Sequence, residues 1–470
     1  ASVEAVEEII NKISFTSMPS DWHYGLINLN IGEVSDLVIE GDGIACDSSK
    51  SVKRLPVPIR GKPTFNLSLN QVLHCAQSRY AGDVKTKKPN AFKVGTALYN
   101  SFMKCIDRVE PITLDQVNLC FGEQMRKLAE KGEICKDHAY NPEDFTTSAK
   151  ISCFLKEQVK ADLNYESWIR LSEDGTTFKA GQGISGQPKP VNIAAGAFVR
   201  AFEKQIRSCL KPEFMIAYGM PAEELSEKIK GFDLSQSKGL EVDITQMDKN
   251  RGKHTDFLMK LLYDKFGVPE VIYKLMENIN QRWKFYTHKM RMEVANCFQS
   301  GRADTLISNT IVGMAYAMYC FEFDDLKMSV FQGDDTALYA RNIRYVNELD
   351  FIKNIETPFP SFTGYIIADG LVLDTPRLVV KLLNRPYPVL NTETAVQEYR
   401  YGVKEWCSIL RDQEDMTKNI LVVSNKYGIT EGESATLLHF LINYYRGNVN
   451  CSDKILQTNS LPCFKFEGPQ

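Results

Sequence analysis

The chain has 470 residues, of which 43% are hydrophobic and 10% aromatic, so it is long enough for several subdomains and too apolar for a disordered protein. Lysine and arginine number 56 against 59 aspartates and glutamates, and this net charge of −3 excludes a global positive field that would attract nucleic acid. The 12 cysteines are dispersed and never form C-x2-C pairs, which favours a reducing compartment over a disulfide scaffold.

The sequence gives no sign of insertion into a membrane. Apolar runs such as residues 311–321 are too short to cross a bilayer, so no direct membrane span is predicted. The acidic, amphipathic segment from Ala1 lacks the basic and apolar stretches of a signal peptide. A first residue other than Met suggests release from a polyprotein or trimming of the chain.

Cations and glycines recur between residues 150 and 200. Five basic side chains stand out there: Lys156, Lys160, Lys179, Lys189 and Arg200. The segment from Lys179 reads K-A-G-Q-G-I-S, and glycines at this spacing let the backbone approach a phosphate or a template strand closely. The alternative for any one of these cations is an ordinary solvated surface position.

An aspartate ends the next apolar run. Residues 240–244 read L-E-V-D-I, a β-like pattern that places Asp243 at the end of a strand. Asp248 follows five residues later, just before an amphipathic helix that includes residues 257–262. Asp248 is therefore also a candidate N-cap of that helix, a role for which Thr245 competes.

A serine-glycine loop comes next and leads into a helix. Residues 300–305 read S-G-R-A-D-T, and Asn309 lies one helical turn beyond Thr305. Arg302 and Asp304 form an unusual charged pair within this loop. A polar helix face is the alternative interpretation of Thr305 and Asn309.

Residues 329–339 carry the most informative pattern, S-V-F-Q-G-D-D-T-A-L-Y. Runs of β-branched and aromatic residues flank Gly333, which predicts a strand, a tight turn and a strand. Asp334 and Asp335 would lie at the exposed tip, where a divalent cation relieves their mutual repulsion most readily. With Asp243 on a second strand, they are the minimum equipment for two-metal phosphoryl transfer, although G-D-D alone could be an ordinary turn.

Together these segments resemble the RNA-dependent RNA polymerases of positive-strand RNA viruses, in the alphavirus-like group and most of all in the branch that contains hepatitis E virus. The resemblance covers about residues 150–450. It depends on D-x4-D from Asp243, S-G-x3-T-x3-N from Ser300, F-Q-G-D-D from Phe331, and the segment from Lys179 with the two cations that follow.

The resemblance implies an α+β fold of the right-hand polymerase type, with fingers, a palm built on a small antiparallel sheet, and a helical thumb. The implied regions are an N-terminal extension with part of the fingers (1–120), the fingers (121–238), the palm (239–380) and the helical thumb (381–470). A helical finger insertion is expected at about 268–288. Beyond the hairpin, residues 362–373 read as a second hairpin, and periodic apolar residues at 397–410 and 434–445 predict helices.

The resemblance also implies a role for each matched residue. Mg²⁺ or Mn²⁺ would be held by Asp243, Ile244, Asp334 and Asp335, with Asp335 as an outer carboxylate. Asp248, Ser300 and Asn309 would contact the ribose 2′-hydroxyl. The nucleotide-binding set would comprise Lys156, Lys160, Lys179, Lys189, Arg200, Asp248, Ser300, Gly301, Thr305 and Asn309.

Lys353 follows on the element after the catalytic hairpin. The resemblance implies that it protonates the departing pyrophosphate, a general-acid role that a protonated amine suits. The alternative is an exposed lysine on a palm helix.

The implied function is template-directed RNA synthesis in viral replication. The expected partners are RNA template and primer or product strands, nucleoside triphosphates and other viral replicase proteins. The expected location is the host cytoplasm, at replication complexes attached to membranes through those partners.

Three other classes stay open. A reverse transcriptase would normally carry an aromatic-x-D-D hairpin and a bulky residue in place of the pair Asp248 and Asn309. A terminal nucleotidyltransferase would need no template. A non-catalytic RNA-binding scaffold would not need the intact carboxylates.

Overall fold

The computed structural model describes residues 2–13, 34–39, 52–53, 61–63, 90–132, 150–155, 159–161, 169–170, 177–178, 183–245, 247–286, 290–295, 298–383, 387–388 and 392–449. Its helices are α1 (Val3–Lys12), α2 (Ala91–Met103), α3 (Leu114–Glu130), α4 (Lys189–Cys209), α5 (Ala222–Lys230), α6 (Met247–Asn250), α7 (Lys253–Lys265), α8 (Glu270–Gln281), α9 (Thr305–Cys320), α10 (Thr375–Leu383), α11 (Thr392–Trp406), α12 (Gln413–Tyr427) and α13 (Glu431–Tyr445).

The strands, in chain order, are β1 (Val34–Ile39), β2 (Val52–Lys53), β3 (Gly61–Pro63), β4 (Lys150–Leu155), β5 (Val159–Ala161), β6 (Ile169–Arg170), β7 (Thr177–Phe178), β8 (Gly183–Gly186), β9 (Phe214–Ile216), β10 (Lys238–Ile244), β11 (Arg282–Tyr286), β12 (Met290–Ala295), β13 (Phe321–Gln332), β14 (Asp335–Tyr345), β15 (Ile352–Glu356), β16 (Ser361–Phe362), β17 (Tyr365–Ala368), β18 (Gly370–Leu373) and β19 (Tyr387–Pro388).

A five-stranded sheet in the order β15-β10-β14-β13-β9 organises the middle of the chain. Its pairs are antiparallel except for β13 with β9 at one edge, which run parallel. The small antiparallel sheet flanked by helices that the sequence predicts is therefore present. The predicted strand at residues 240–244 and the predicted hairpin at 329–339 are both confirmed, the latter as the turn of the longer pair β13 and β14.

The two faces of this sheet pack against different cores. Alternate residues Leu240, Val242 and Ile244 of β10 join a buried cluster with α2, α4, α7 and α9. On the other face, Ala337 and Tyr339 of β14 join a cluster with β16–β18 and helices α1, α10, α12 and α13. Because side chains alternate along a strand, β10 and β14 each contribute to both surfaces.

Helix α9 is buried along nearly its whole length. Its residues from Thr310 to Met318 are buried on every side of the helix, as expected of an apolar helix inside a core. This explains the apolar run at 311–321 without a membrane. No helix of the described residues is both long and apolar enough to cross a bilayer.

A second five-stranded sheet has the order β1-β12-β11-β4-β8. Its edge strand β8 pairs antiparallel with β4. Hydrogen bonds between β8 and Ser300 place Gly183–Gly186 next to the loop that precedes α9. The helical insertion predicted at about 268–288 is only partly correct. It is helical in α8, up to Gln281, and then becomes strand β11, where Phe285 and Tyr286 pair with β4.

The C-terminal region is helical, as the sequence predicts. Helices α11, α12 and α13 cover 392–406, 413–427 and 431–445, and the two predicted segments lie within α11 and α13 except for a short 3₁₀ turn at Cys407–Ile409. Gly428 ends α12 in the left-handed conformation, and Thr430 with Glu433 forms a capping box at the start of α13. The second predicted hairpin is the three-stranded sheet β16-β17-β18.

Candidate active site

The turn between β13 and β14 carries two carboxylates at its tip. Gln332 pairs with Asp335, so Gly333 and Asp334 form a two-residue turn. Gly333 has φ +62, a conformation that glycine adopts without strain. Asp334 and Asp335 are both exposed to solvent. The predicted exposed carboxylate tip is thus confirmed.

Helix α9 supports this turn from beneath. The backbone N–H of Gly333 donates a buried hydrogen bond of 2.9 Å to the Thr310 hydroxyl. That hydroxyl in turn donates to the Leu306 carbonyl at 2.7 Å. No local sequence signal predicts this role for Thr310, because the contact joins residues 23 positions apart.

Asp243 lies on the strand next to these carboxylates. Val242 pairs with Thr336, so Asp243 follows beside Asp335, the first residue of β14. In an antiparallel pair, neighbouring residues at one level share a face, and residues two apart along a strand do too. Asp243, Asp335 and also Glu241 therefore project from the same face of the sheet.

The carboxylates affect one another electrostatically. The Asp335 side chain reaches solvent, but the protein packed around its carboxyl partly desolvates it. This desolvation, and then the charges of Asp334, Asp243 and Glu241, raise the pKa of Asp335 to about 7. The positive charge of Lys381 on α10 opposes this rise in pKa. A carboxylate surrounded by other carboxylates favours the binding of a cation, which relieves their repulsion.

Glu241 is a further acidic residue of this face that the sequence motifs do not include. The signal that could have found it is its position two residues before Asp243, which places both side chains on the same face of the strand. Its Oε2 accepts a hydrogen bond of 2.9 Å from the backbone N–H of Ser361. The Ser361 hydroxyl also accepts a 2.6 Å hydrogen bond from Lys426 of α12. Glu241 therefore connects the carboxylate face to the C-terminal helices.

Lys353 lies on strand β15. The alternative interpretation, which placed this lysine on a helix, is therefore wrong. It pairs directly with Asp243 across the two strands. Directly opposed side chains lie on one face with Cβ atoms about 5 Å apart. Lys353 is therefore beside the first aspartate, and its general-acid role stays a prediction.

Ile244 is the remaining residue of the predicted metal site. Its side chain is buried in the core formed with α2, α4, α7 and α9, on the face opposite to Asp243. Only its backbone carbonyl is therefore suited to a metal contact.

The serine-glycine loop packs on strand β8. A Cβ on Gly301 would lie 1.7 Å from the Ser185 carbonyl oxygen, so only glycine fits there. The Ser300 hydroxyl accepts from the Ser185 N–H at 3.1 Å and donates to the Gly183 carbonyl at 3.3 Å. Asn192 at the start of α4 donates to the Gly301 carbonyl at 3.2 Å.

Thr305 stabilises the same loop from within. Its hydroxyl lies 3.1 Å from the Gln299 carbonyl and 3.0 Å from the Arg302 carbonyl, and it can donate to either. In the structure its hydrogen bonds are therefore local, at the first residue of α9.

Asp248 and Asn309 are in direct contact, as the ribose-binding prediction requires. Nδ2 of Asn309 donates to Oδ1 of Asp248 at 3.3 Å. The alternative role of Asp248 as N-cap of α7 is wrong, because Asp248 lies in the separate helix α6. Helix α7 begins after Gly252, whose N–H donates to the Thr255 hydroxyl at 3.1 Å.

The unusual charged pair of the loop is a buried ion pair. Arg302 donates Nε to Oδ1 and Nη2 to Oδ2 of Asp304, at 2.9 and 2.8 Å. The Tyr263 hydroxyl donates to the same carboxylate at 2.7 Å. The Arg302 guanidinium lowers the pKa of Asp304 against the effect of burial, which raises it. This pair fixes the N-terminus of α9.

The predicted phosphate-binding cations are spread along the chain. Lys189 is exposed at the first turn of α4. Arg200 lies further along α4, where its charge opposes the rise in the pKa of Cys120 on α3. Lys160 lies on β5, paired with Lys62. Lys156 and Lys179 lie outside the described residues, and the phosphate role of all five cations stays a prediction.

The carboxylate donors suit a hard divalent cation. Within the described ranges, no three His, Cys, Asp or Glu side chains form a ready-made metal cage. Mg²⁺ needs few protein oxygens, since water and substrate phosphates complete its octahedral shell. Asp243 and Asp335 lie beside each other on neighbouring strands, with Asp334 next to Asp335 in the turn, so the residues present fit Mg²⁺ or Mn²⁺.

Comparison with known proteins decides the family. Residues 51–451 match the family model described as RNA dependent RNA polymerase. The chain belongs to the RNA-dependent RNA polymerase family. The resemblance inferred from the aspartate, serine-glycine and G-D-D motifs is therefore confirmed.

Curated relatives of this chain are viral proteins. One is the "Methyltransferase/helicase/RNA-directed RNA polymerase" of Nudaurelia capensis beta virus, 24% identical over 390 residues, which are 79% of this chain and 19% of that protein. Another is the "Non-structural polyprotein pORF1" of hepatitis E virus genotype 3, 25% identical over 288 residues, 59% of this chain and 16% of that protein. The polymerase chain thus spans less than a fifth of the length of these relatives.

Proposed function

We propose that this chain catalyses template-directed RNA synthesis as the polymerase region of a positive-strand RNA virus replicase. The observation that carries the proposal is the alignment of Asp243 and Asp335 on neighbouring strands, beside the exposed turn that holds Asp334. A right-hand arrangement of fingers (to about 238), palm (239–380) and thumb (381–470) is part of the proposal.

The carboxylates would hold two Mg²⁺ or Mn²⁺ ions. When bound, these ions activate the primer 3′-hydroxyl and neutralise the charge of the leaving pyrophosphate. Asp243 and Asp334 would be the principal ligands, and Asp335 would support them. With a pKa raised to about 7, the Asp335 carboxyl is partly protonated near neutral pH. A bound cation would favour loss of that proton.

Lys353 and Lys381 bring positive charge to the same face. Lys353 pairs with Asp243 on the outer side of β10, whereas Lys381 acts on Asp335 from α10. We assign Lys353 the role of general acid toward the leaving pyrophosphate, because a protonated amine beside the metal ligands can reach its oxygen. Lys381 would contact the product strand or the bound phosphates.

The pair Asp248 and Asn309 would read the ribose. A hydroxyl group both donates and accepts hydrogen bonds, and the pair offers a carboxylate acceptor beside an amide donor. The 2′-hydroxyl distinguishes ribonucleotides from deoxyribonucleotides, so the pair favours RNA synthesis over reverse transcription. The Ser300 hydroxyl would contribute after leaving its partners on β8.

Labelled-nucleotide incorporation on a primed RNA template with Mg²⁺ tests the proposal. Asp334→Ala should abolish extension. Asp324→Ala is a matched control, because Asp324 is an exposed aspartate of the same hairpin, paired with Asn342 far from the turn. Equal activity of wild type and Asp334→Ala would refute the assigned metal role.

The same assay separates the other classes. Extension without a template would indicate a terminal nucleotidyltransferase, and deoxynucleotide incorporation on RNA would indicate a reverse transcriptase. A folded wild-type chain that binds RNA but incorporates nothing with either cation would favour a scaffold.

The chain would act with other replicase proteins, because its relatives are much longer proteins, one named with methyltransferase and helicase and another named a polyprotein. We place it in the host cytoplasm, at membrane-attached replication complexes reached through those partners. Co-fractionation of the tagged chain with membranes in the presence of its replicase partners, and its loss in their absence, would test this placement.

A further inference from the structure

A buried arginine contacts the residues that would read the ribose. Arg251 is only 4% exposed and follows α6, three residues after Asp248. Its Nη1 donates to Oδ1 of Asn309 at 2.8 Å and to the Ser308 hydroxyl at 2.7 Å. Arg251 belongs to none of the motifs recognised in the sequence.

These hydrogen bonds fix the orientation of the Asn309 amide. A guanidinium has donors and no acceptor, so Asn309 can turn only its carbonyl oxygen toward Arg251. The amide nitrogen then faces Asp248, where it makes the 3.3 Å contact. Without Arg251, the two flipped orientations of the Asn309 amide would differ much less in energy, and the amide nitrogen could rotate away from Asp248.

The guanidinium of Arg251 lies against an aromatic ring. Its guanidinium carbon lies 3.6 Å from the centroid of the Phe298 ring. Among the described residues, neither Nε nor Nη2 has a hydrogen-bond partner, although both are buried. An arginine buried with two unsatisfied nitrogens is costly, which is expected at functional sites more than at purely structural ones.

Arg302 offers a contrast within the same cluster. It contacts the ring of Phe298 as well, at 4.7 Å, and is also buried. However, it forms a two-fold ion pair with Asp304 and is bonded neither to Asn309 nor to Ser308. Arg302 therefore has a stabilising role, and it provides a control for the effect of removing a buried cation.

We propose that Arg251 is a positioning residue for ribose selection, which orients the Asn309 amide toward the 2′-hydroxyl of the incoming ribonucleoside triphosphate. This inference rests on the proposed polymerase function. It predicts that the loss of Arg251 impairs the use of ribonucleotides more than the use of 2′-deoxyribonucleotides.

The test measures kcat/KM for CTP and for 2′-deoxy-CTP on one primed RNA template. Arg251→Met, which keeps bulk and removes the donors, should lower the ribose preference by about five- to tenfold, the worth of one hydrogen bond. The loss should appear mainly as a higher KM for CTP. Arg302→Met should lower the thermal midpoint and leave the preference unchanged.

A double-mutant cycle separates positioning from general damage. Asn309→Ala should lower the ribose preference by itself, and adding Arg251→Met should lower it no further, because both changes remove one interaction. If Arg251→Met does not fold, Arg251→Lys replaces it, and its single ammonium should give an intermediate preference.

The outcomes distinguish this inference from the proposed function. An unchanged preference in Arg251→Met or Arg251→Lys, or preference losses that add in the double variant, would overturn the role of Arg251 while polymerase activity stands. A wild-type chain that extends no primer with either nucleotide would instead refute the proposed function, and the inference with it.

Discussion

Thr310 should be needed to hold the carboxylate turn in place. Thr310→Val keeps a β-branched side chain of similar shape but removes the hydroxyl that accepts the buried N–H of Gly333 at 2.9 Å. A buried donor left without a partner costs about 1–3 kcal/mol. We therefore expect the free energy of unfolding to fall by about that amount. Primer extension should fall too, most clearly at low Mg²⁺, since the turn carries Asp334.

The measurement is urea unfolding followed by circular dichroism, with primer extension over a range of Mg²⁺ concentrations. Thr310→Ser is the first control, because it keeps the hydroxyl and loses only a methyl group. Thr375→Val is the second. The Thr375 hydroxyl at the start of α10 is buried and has no hydrogen-bond partner in the part of the chain that the structure describes, so its removal should be neutral or stabilising.

Two results would refute this reasoning. If Thr310→Val is as stable and as active as the wild type, the Gly333 N–H has found another partner. If Thr310→Ser loses as much stability as Thr310→Val, packing of the methyl group matters and the hydroxyl does not.

Two further predictions test the loop before α9 and a buried histidine. Gly301→Ala should strongly reduce primer extension and lower the thermal midpoint, because its Cβ would lie 1.7 Å from a carbonyl oxygen of β8. Gly122→Ala on α3, where a Cβ meets no atom of the described residues within 4 Å, should instead stabilise the chain by up to about 1 kcal/mol. Burial, and then the charge of Arg251, lower the pKa of His254 to about 4 from its ordinary 6.5. Because the unfolded chain then binds more protons between these values, the stability that His254 contributes is present above pH 6.5 and is lost as the pH falls toward 4. His254→Gln should therefore make the pH dependence of urea unfolding shallower in this window, and an unchanged slope would contradict the buried, neutral histidine.

The features that the sequence predicts correctly depend on short stretches of chain. The strand ending at Asp243 and the turn at Gly333 follow from alternation and from glycine at the turn, both of which are local signals. Alternation also explains why the carboxylates share a face once the strands pair. The C-terminal helices follow in the same way from their apolar periodicity.

Other features depend on distant contacts and could not be predicted. Residues 352–356 form a strand because they pair with the edge of β10. Their own sequence does not distinguish a strand from a helix, so a helical position of Lys353 was a possible interpretation. The second half of the expected helical insertion becomes strand β11 through its parallel pairing with β4, a contact across more than a hundred residues. Arg251 and Thr310 acquire their roles only through tertiary hydrogen bonds.

Helix α9 brings the proposed sugar and metal functions into one rigid element. Asn309 and Thr310 are consecutive, and successive helical residues project about 100° apart, so they contact different neighbours. Asn309 lies against Asp248 and Arg251, while Thr310 holds the turn that carries Asp334. A displacement of the Asn309 backbone would shift the same helix turn that positions Gly333, since the buried helix is packed on every side. Helix α9 therefore links the proposed ribose-binding pair to the turn of the proposed metal ligands.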